Sequence, residues 1–305
     1  MSTRRAVHKN SWYSGNGMIF VEKTMVIVDE LDNQLSNWLN KATYTHGPAR
    51  AIITPHAGYF YSGECASFAF KQINPNSTKR IFVLGPSHNL YLEACAIPVA
   101  DYFETPFYNL HVDEDVRRRL LDTGKFVNLA LKQDEDEHSM EMQFPYIAKI
   151  MEAHADNFTV VPIMVGSLSF SMEQTFGEIL SPFLSDPSNV FVISSDFCHW
   201  GSRFGYTYYD QSCGEIWESI SDLDHKGMDL IENLDTSGFN KYLSDYGNTI
   251  CGRHPISVLL QAVRALEQEV GAKAVLKFVQ YAQSSKCRSM RDSSVSYASA
   301  SLVIK

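Results

Sequence analysis

Several common signals are missing from this sequence, and each absence removes a class of function. No run approaches the roughly 18 consecutive apolar residues that would suggest a membrane span. The opening stretch MSTRRAVHKNSWYSG is basic and then polar, without the apolar centre of a secretory leader. There is no C-x-x-C pair, so neither a zinc ribbon nor a thioredoxin-type site is signalled. G-x-G-x-x-G and the P-loop are absent, which removes the nucleotide-binding fingerprints. Without a G-x-S-x-G elbow, a Ser–His–Asp hydrolase has no support. Positive charge is also in deficit. Lys and Arg number 26 against 35 Asp and Glu, a formal net charge of −9, which argues against nucleic acid as the main partner because phosphate binding needs a basic surface. No low-complexity tract, linker or fixed-period repeat interrupts the chain.

Six cysteines are present, Cys65, Cys95, Cys198, Cys213, Cys251 and Cys287. Their spacing is wide and irregular, and the expectation is a cytoplasmic protein with reduced thiols. The 305 residues are 45% hydrophobic and 20% charged, which is ordinary for a globular protein. A chain of this length can bury a core without disulfides or a structural metal.

The pattern is α/β. Residues 49–55, 80–86, 159–166 and 189–197 are near-continuous apolar runs, as expected for strands covered on both faces. Helical patterns lie between them at 62–73, 113–123, 138–154 and 171–185. That alternation predicts a mainly parallel central sheet flanked by helices. Helices are expected at 211–233, 235–245 and 255–270, then two strands, 274–282 and 295–304, pairing antiparallel at one end of the sheet. One domain over residues 1–305 is the simplest organisation. The apolar strip 18–28, MIFVEKTMVIV, reads as a packed strand or helix start.

Histidines follow the predicted strands. His56 stands in ITPHAGY and His88 in GPSHN. Ligands in open α/β sheets bind at the carboxyl ends of strands, so if these two strands are parallel neighbours both imidazoles reach one crevice. Asp196 and His199 come as DFCH, an offset that puts both side chains on one side. The pair suits a base oriented by a carboxylate, and Asp196 could equally cap a helix. Cys198 between them is expected to point into packing. Cys251, in NTICGRHPI, precedes a helix; the helix dipole and Arg253 would favour its thiolate, making it a ligand or nucleophile, against an equal case for an inert buried thiol. Glu141 lies three residues after His138 and could orient it. The acidic run 134–137 reads as a solvated helix start. His8, His46, His111, His154 and His225 have no companion and read as structural. Lys286, Arg288 and Arg291 could bind an anion, and a solvated hairpin loop is the default for them.

Taken together, ITPHAGYFYSG, RIFVLGPSHN, DEDEHSMEMQFPY, VISSDFCHWG, NTICGRHPI, YAQSSKCR and DSSVSYA resemble the MEMO family, mediators of ErbB2-driven cell motility. The likeness runs from residue 11 to the C-terminus, and relative to it the strip 18–28 looks like an insertion. It implies a fold similar to the class III extradiol dioxygenases, whose Fe(II) is held by two histidines and a glutamate. By motif, His56 and His88 match the two histidines, Cys251 stands at the third ligand position, His199 matches the catalytic base and Asp196 lines the same pocket. Thiolate in place of carboxylate makes copper competitive with iron, with zinc third, and argues against ring cleavage. The resemblance implies one iron or copper per chain and possible redox activity. It also implies a cytoplasmic and nuclear relay from receptor tyrosine kinases to microtubules and migration, with a phosphorylated receptor tail peptide and signalling adaptors as partners. A phosphotyrosine-peptide module reusing the pocket is the alternative, and an active extradiol dioxygenase ranks third.

Overall fold

The computed structural model describes the backbone of residues 1–13 and 21–305 and the side chains of 1–13 and 30–305. In chain order the strands are β1 (Thr3–Arg4), β2 (Ala51–Thr54), β3 (Arg80–Pro86), β4 (Cys95–Pro98), β5 (Tyr102–Phe103), β6 (Leu110–His111), β7 (Phe126–Leu129), β8 (Thr159–Val165), β9 (Asn189–Ser194), β10 (His199–Trp200), β11 (Ala274–Gln283) and β12 (Ser294–Ile304). The helices are α1 (Val21–Lys41), α2 (Tyr59–Phe70), α3 (Glu114–Asp122), α4 (Leu131–Glu135), α5 (Phe144–Ile150), α6 (Phe170–Ser185), α7 (Ile216–Glu232), α8 (Thr236–Tyr246) and α9 (Arg253–Val270). Of the apolar strip 18–28, residues 21–28 open α1; the remainder and all of its side chains lie outside the described residues.

The large sheet has the order β10-β12-β2-β9-β3-β8-β4-β7, with β11 on β12. Its centre, β2, β9, β3 and β8, is parallel throughout. The C-terminal β11 and β12 pair antiparallel with each other, and β12 with β2, as the sequence predicts. Strand residues alternate between two cores. Ile53, Phe82, Leu84, Phe191 and Ile193 face α6 and α9; Ile52, Ile81, Val83, Val190 and Val192 face α2 and α5. Each such side chain, fully buried, contributes about 1.5–3 kcal/mol. No helix among the described residues is long and apolar enough to cross a membrane.

The helix expected over 138–154 is broken into a short 3₁₀ turn at Glu141–Gln143, α5, and a second 3₁₀ turn at Glu152–His154. Pro145 at the start of α5 explains the restart, since proline is suited to a first helical turn and unsuited to an interior. A small second sheet, β1-β5-β6, ties the N-terminal residues to the body of the protein.

Candidate metal centre

The carboxyl ends of β2, β3 and β9 share one edge of the sheet. β2 and β3 are not direct neighbours, since β9 lies between them, parallel to both. The loop after β9 therefore enters between the loops that carry His56 and His88, which places Asp196 at the centre of the site. A cavity of about 660 Å³ opens there, lined by His56, His88, His138, Asp196, His199 and Trp12 among others. That volume suits a small ligand or a side chain of a partner.

Hydrogen bonds fix the tautomers of three histidines. His56 Nδ1 lies 2.8 Å from Ser194 Oγ. That hydroxyl gives its proton to the Ser139 carbonyl at 2.7 Å, so it accepts from His56. His88 Nδ1 lies 2.9 Å from Glu137 Oε1. His199 Nδ1 lies 2.9 Å from the Phe197 carbonyl and 3.1 Å from that of Thr249, groups that only accept. In all three rings Nδ1 therefore carries the proton and Nε2 keeps its lone pair, which in His56 faces the Cys251 sulfur at 3.2 Å. This is how outer partners prepare imidazoles for a metal.

Burial, reinforced by the neighbouring imidazoles, pushes His56 well below its ordinary value. Burial likewise brings His138 down to about 4, with Glu137 opposing and His88 and His8 assisting. The Glu137 carboxyl is raised by burial, but the His88 hydrogen bonds and charge outweigh this and hold it at about 2. In the metal-free protein these shifts carry a stability signature. The native chain keeps His138 neutral to about pH 4, whereas the unfolded chain binds a proton near 6.5. Stability is thus lost as pH falls through that window. We expect His138→Gln to flatten the curve of unfolding free energy against pH between about 6.5 and 4. An unchanged slope in chemical denaturation would contradict this.

Cys251 departs from its sequence expectation. Burial, then Asp196, pushes its thiol above the ordinary range, despite hydrogen bonds from Asp196 N–H, Gly252 N–H and Ser195. The helix dipole and Arg253 are too weak to favour thiolate in a buried site. A cation at the sulfur would reverse this, since a coordinating thiol is deprotonated outright. Cys251 Sγ lies 3.2 Å from His56 Nε2, and the Asp196 N–H donates to it at 3.2 Å. Asp196 does not cap its own following segment. Its Oδ1 accepts from the backbone N–H of His56 at 2.9 Å and Ala57 at 3.3 Å, so it holds the His56 loop. Burial pushes its carboxyl up, against His199 and those N–H bonds. Cys198 is fully buried in packing, as expected.

Gly252 lets these loops meet. A Cβ there would stand 2.3 Å from Ser195 Cβ and 2.5 Å from the Ser194 carbonyl. Gly252→Ala should cost about 1–3 kcal/mol of stability, in the range of overpacked interiors, and displace Cys251 from His56. A thermal melt identical to wild type would refute the close approach.

Two sequence expectations are overturned beside the pocket. The run 134–137 is not a solvated helix start. Asp134, Glu135 and Glu137 are buried, because Arg4 and Arg5 pair with the first two and Glu137 serves His88. Glu141 does not orient His138. It binds Arg4, His8 Nδ1 at 2.8 Å and the Tyr13 hydroxyl at 2.9 Å. His8, expected to stand alone, is thus part of a buried network and its ring lies 6.1 Å from that of His138. His138 itself faces His88, stacked at 4.7 Å, and Trp12, stacked at 4.3 Å.

At the cavity mouth stand Arg203, Phe204, Ser284, Ser285 and Tyr61. Arg203, with its guanidinium over Phe204 at 4.4 Å, lines the cavity; the sequence pointed instead to Lys286, Arg288 and Arg291 as anion binders. Lys286 is occupied over the Trp217 ring at 4.2 Å.

The fold and pocket define an α/β protein with an imidazole-lined cavity at the carboxyl edge of parallel strands, with the Cys251 thiol behind it against His56. The sequence pattern of the Memo-like protein family matches residues 25–301, and the chain belongs to that family. Protein MEMO1 of Xenopus laevis is 53% identical over 301 residues, 99% of this chain and 97% of that protein. The Homo sapiens protein of the same name is 51% identical over the same shares. The memo-1 homolog of Caenorhabditis elegans is 45% identical over 99% of this chain and 83% of its own length. A solved structure of an uncharacterised Escherichia coli K12 protein overlays at a TM-score of 0.49 with 11% identity over 81% of this chain and 98% of its own, a likeness too loose to transfer any property.

Proposed function

We propose that this MEMO-type protein binds one iron or copper ion through His56, His88 and Cys251 and acts as a redox-capable signalling protein of the cytoplasm and nucleus. The observation that carries the reading is the prepared His56 ring: Nδ1 is committed to Ser194, and the unprotonated Nε2 faces the Cys251 sulfur at 3.2 Å. The donor set suits such an ion, with neutral imidazoles for iron or copper and a thiol that favours the softer copper(I). When bound, the metal would supply one-electron chemistry. His199, with Nε2 free, is positioned to take or give a proton in the cavity, and Asp196 lines the cavity and holds the His56 loop. Anaerobic titration of iron(II) and of copper(I) into wild type and Cys251→Ala tests the site. Saturation near one ion per chain in wild type and a loss of affinity of at least about 100-fold in the variant is expected, more than the loss of an outer partner would cause. Equal binding by both proteins contradicts the assignment.

A second reading is favoured by Arg203 at the cavity mouth beside Ser284 and Ser285. Guanidinium and hydroxyl groups recognise phosphate. The cavity would then accept a phosphotyrosine of an ErbB2-like receptor tail, linking it to adaptors, microtubules and migration. Titration of phosphorylated against unphosphorylated peptide decides this. Equal affinities, or no change in Arg203→Ala, count against it.

A further inference from the structure

The pocket holds a third imidazole that the iron or copper reading does not use. His56, His88 and His138 each present one ring nitrogen such that all three lie within 4.8 Å of one another. The arrangement has a structural cause. Glu137 Oε1 lies 2.9 Å from His88 Nδ1 and 3.3 Å from His138 Nδ1. Both rings thus lean on one carboxylate oxygen and stack at 4.7 Å with 23° between their planes. His56 stands across both, at 76° and 85°. Trp12 stacks on His138 at 4.3 Å, so the ring is held in place before any ligand arrives.

We propose that His56, His88 and His138 form a three-imidazole site for a borderline divalent cation, zinc or copper(II), which shares two residues with the thiol site but does not need Cys251. The inference rests on the reading of this pocket as a metal site. Three nitrogens around a tetrahedral ion at roughly 2.0–2.1 Å stand about 3.3 Å apart, so these atoms, within 4.8 Å of one another, would have to close in slightly around the ion. The two donor sets differ in softness. Imidazoles suit zinc and copper(II), and the thiolate selects copper(I). One pocket then sorts cations by which third donor it engages, nitrogen from His138 or sulfur from Cys251.

The test measures zinc(II) and anaerobic copper(I) affinities by chelator competition in wild type, His138→Phe, His138→Ala and Cys251→Ala. His138→Phe keeps a ring between His88 and Trp12 and removes only the nitrogens, and thermal melts check that each variant folds. We expect His138→Phe and His138→Ala to weaken zinc by more than about 100-fold, beyond the 10–100-fold that loss of an outer partner costs. Their copper(I) affinity should change by less than about 10-fold, and Cys251→Ala should show the reverse pattern. Zinc K-edge absorption of the wild type should show a shell of nitrogen and oxygen without sulfur. Wild-type zinc affinity in His138→Phe, or sulfur in the zinc shell, overturns the three-imidazole site while leaving the thiol site standing. A wild type that binds neither metal overturns both readings.

Discussion

Replacing Arg4 by methionine is expected to lower the unfolding free energy at pH 7 by about 3–5 kcal/mol, the cost of stranding buried charge. Arg4 is 1% exposed. Its guanidinium meets Glu141 and Asp134 and donates to the carbonyls of Asp134 at 2.9 Å and Glu137 at 2.8 Å. The two carboxyls respond differently. Burial wins at Asp134 and brings it up to about 7, and one of its oxygens has no partner. At Glu141 burial is outweighed by His8 and Arg4, which hold its carboxyl below the ordinary value. Glu141 therefore carries the charge that Arg4 neutralises, and methionine would leave it behind. Protonating that carboxyl relieves the variant, so the deficit should shrink between pH 7 and pH 5. Urea denaturation at the two pH values reads this. A deficit under about 1 kcal/mol, the scale of an exposed ion pair, would contradict the account. So would a deficit independent of pH.

Glu137→Ala should weaken metal binding by about 10–100-fold although Glu137 is not a ligand. Its carboxylate accepts from His88 Nδ1 and from the backbone N–H groups of His88, His138 and Ser139. Without it nothing commits the His88 proton to Nδ1, and both His88 and His138 lose the oxygen that aligns them. Glu137→Gln keeps one acceptor oxygen and should fall between wild type and alanine. The same group makes the fold acid-sensitive. Its carboxyl is held at about 2 against an ordinary 4.5, so its contribution is present above 4.5 and lost as pH falls toward 2. Chelator competition checks the first effect. An affinity for Glu137→Ala within about twofold of wild type would show that the alignment does not matter to the ligands.

The strands and most helices were legible because apolar runs and helical periods sit where β3, β8, β9, α6 and α9 form. The positions of His56, His88, Asp196 and His199 were legible too, since strand ends in parallel sheets converge. What sequence order could not supply is the spatial order β2-β9-β3, which rests on pairing between segments more than a hundred residues apart. The buried role of residues 134–137 was hidden for a similar reason. Its cause is Arg4, about 130 residues away in sequence, and a charge run without its partner reads as solvated. Cys251 shows a competition of magnitudes. Its place before α9 favours thiolate, but desolvation costs the charged form more than a helix terminus returns. Arg203 carried no motif, and only its place in the cavity lining marks it.

The metal centre proposed for this cavity is open to a single analytical test. Elemental analysis by mass spectrometry, on protein purified without chelator or nickel affinity, tests it most directly, wild type beside His56→Ala. About one iron or copper per chain is expected in wild type and less than about a tenth of that in the variant, since His56 belongs to both donor sets. Equal metal in the two proteins, or none in wild type even after anaerobic loading, would contradict it.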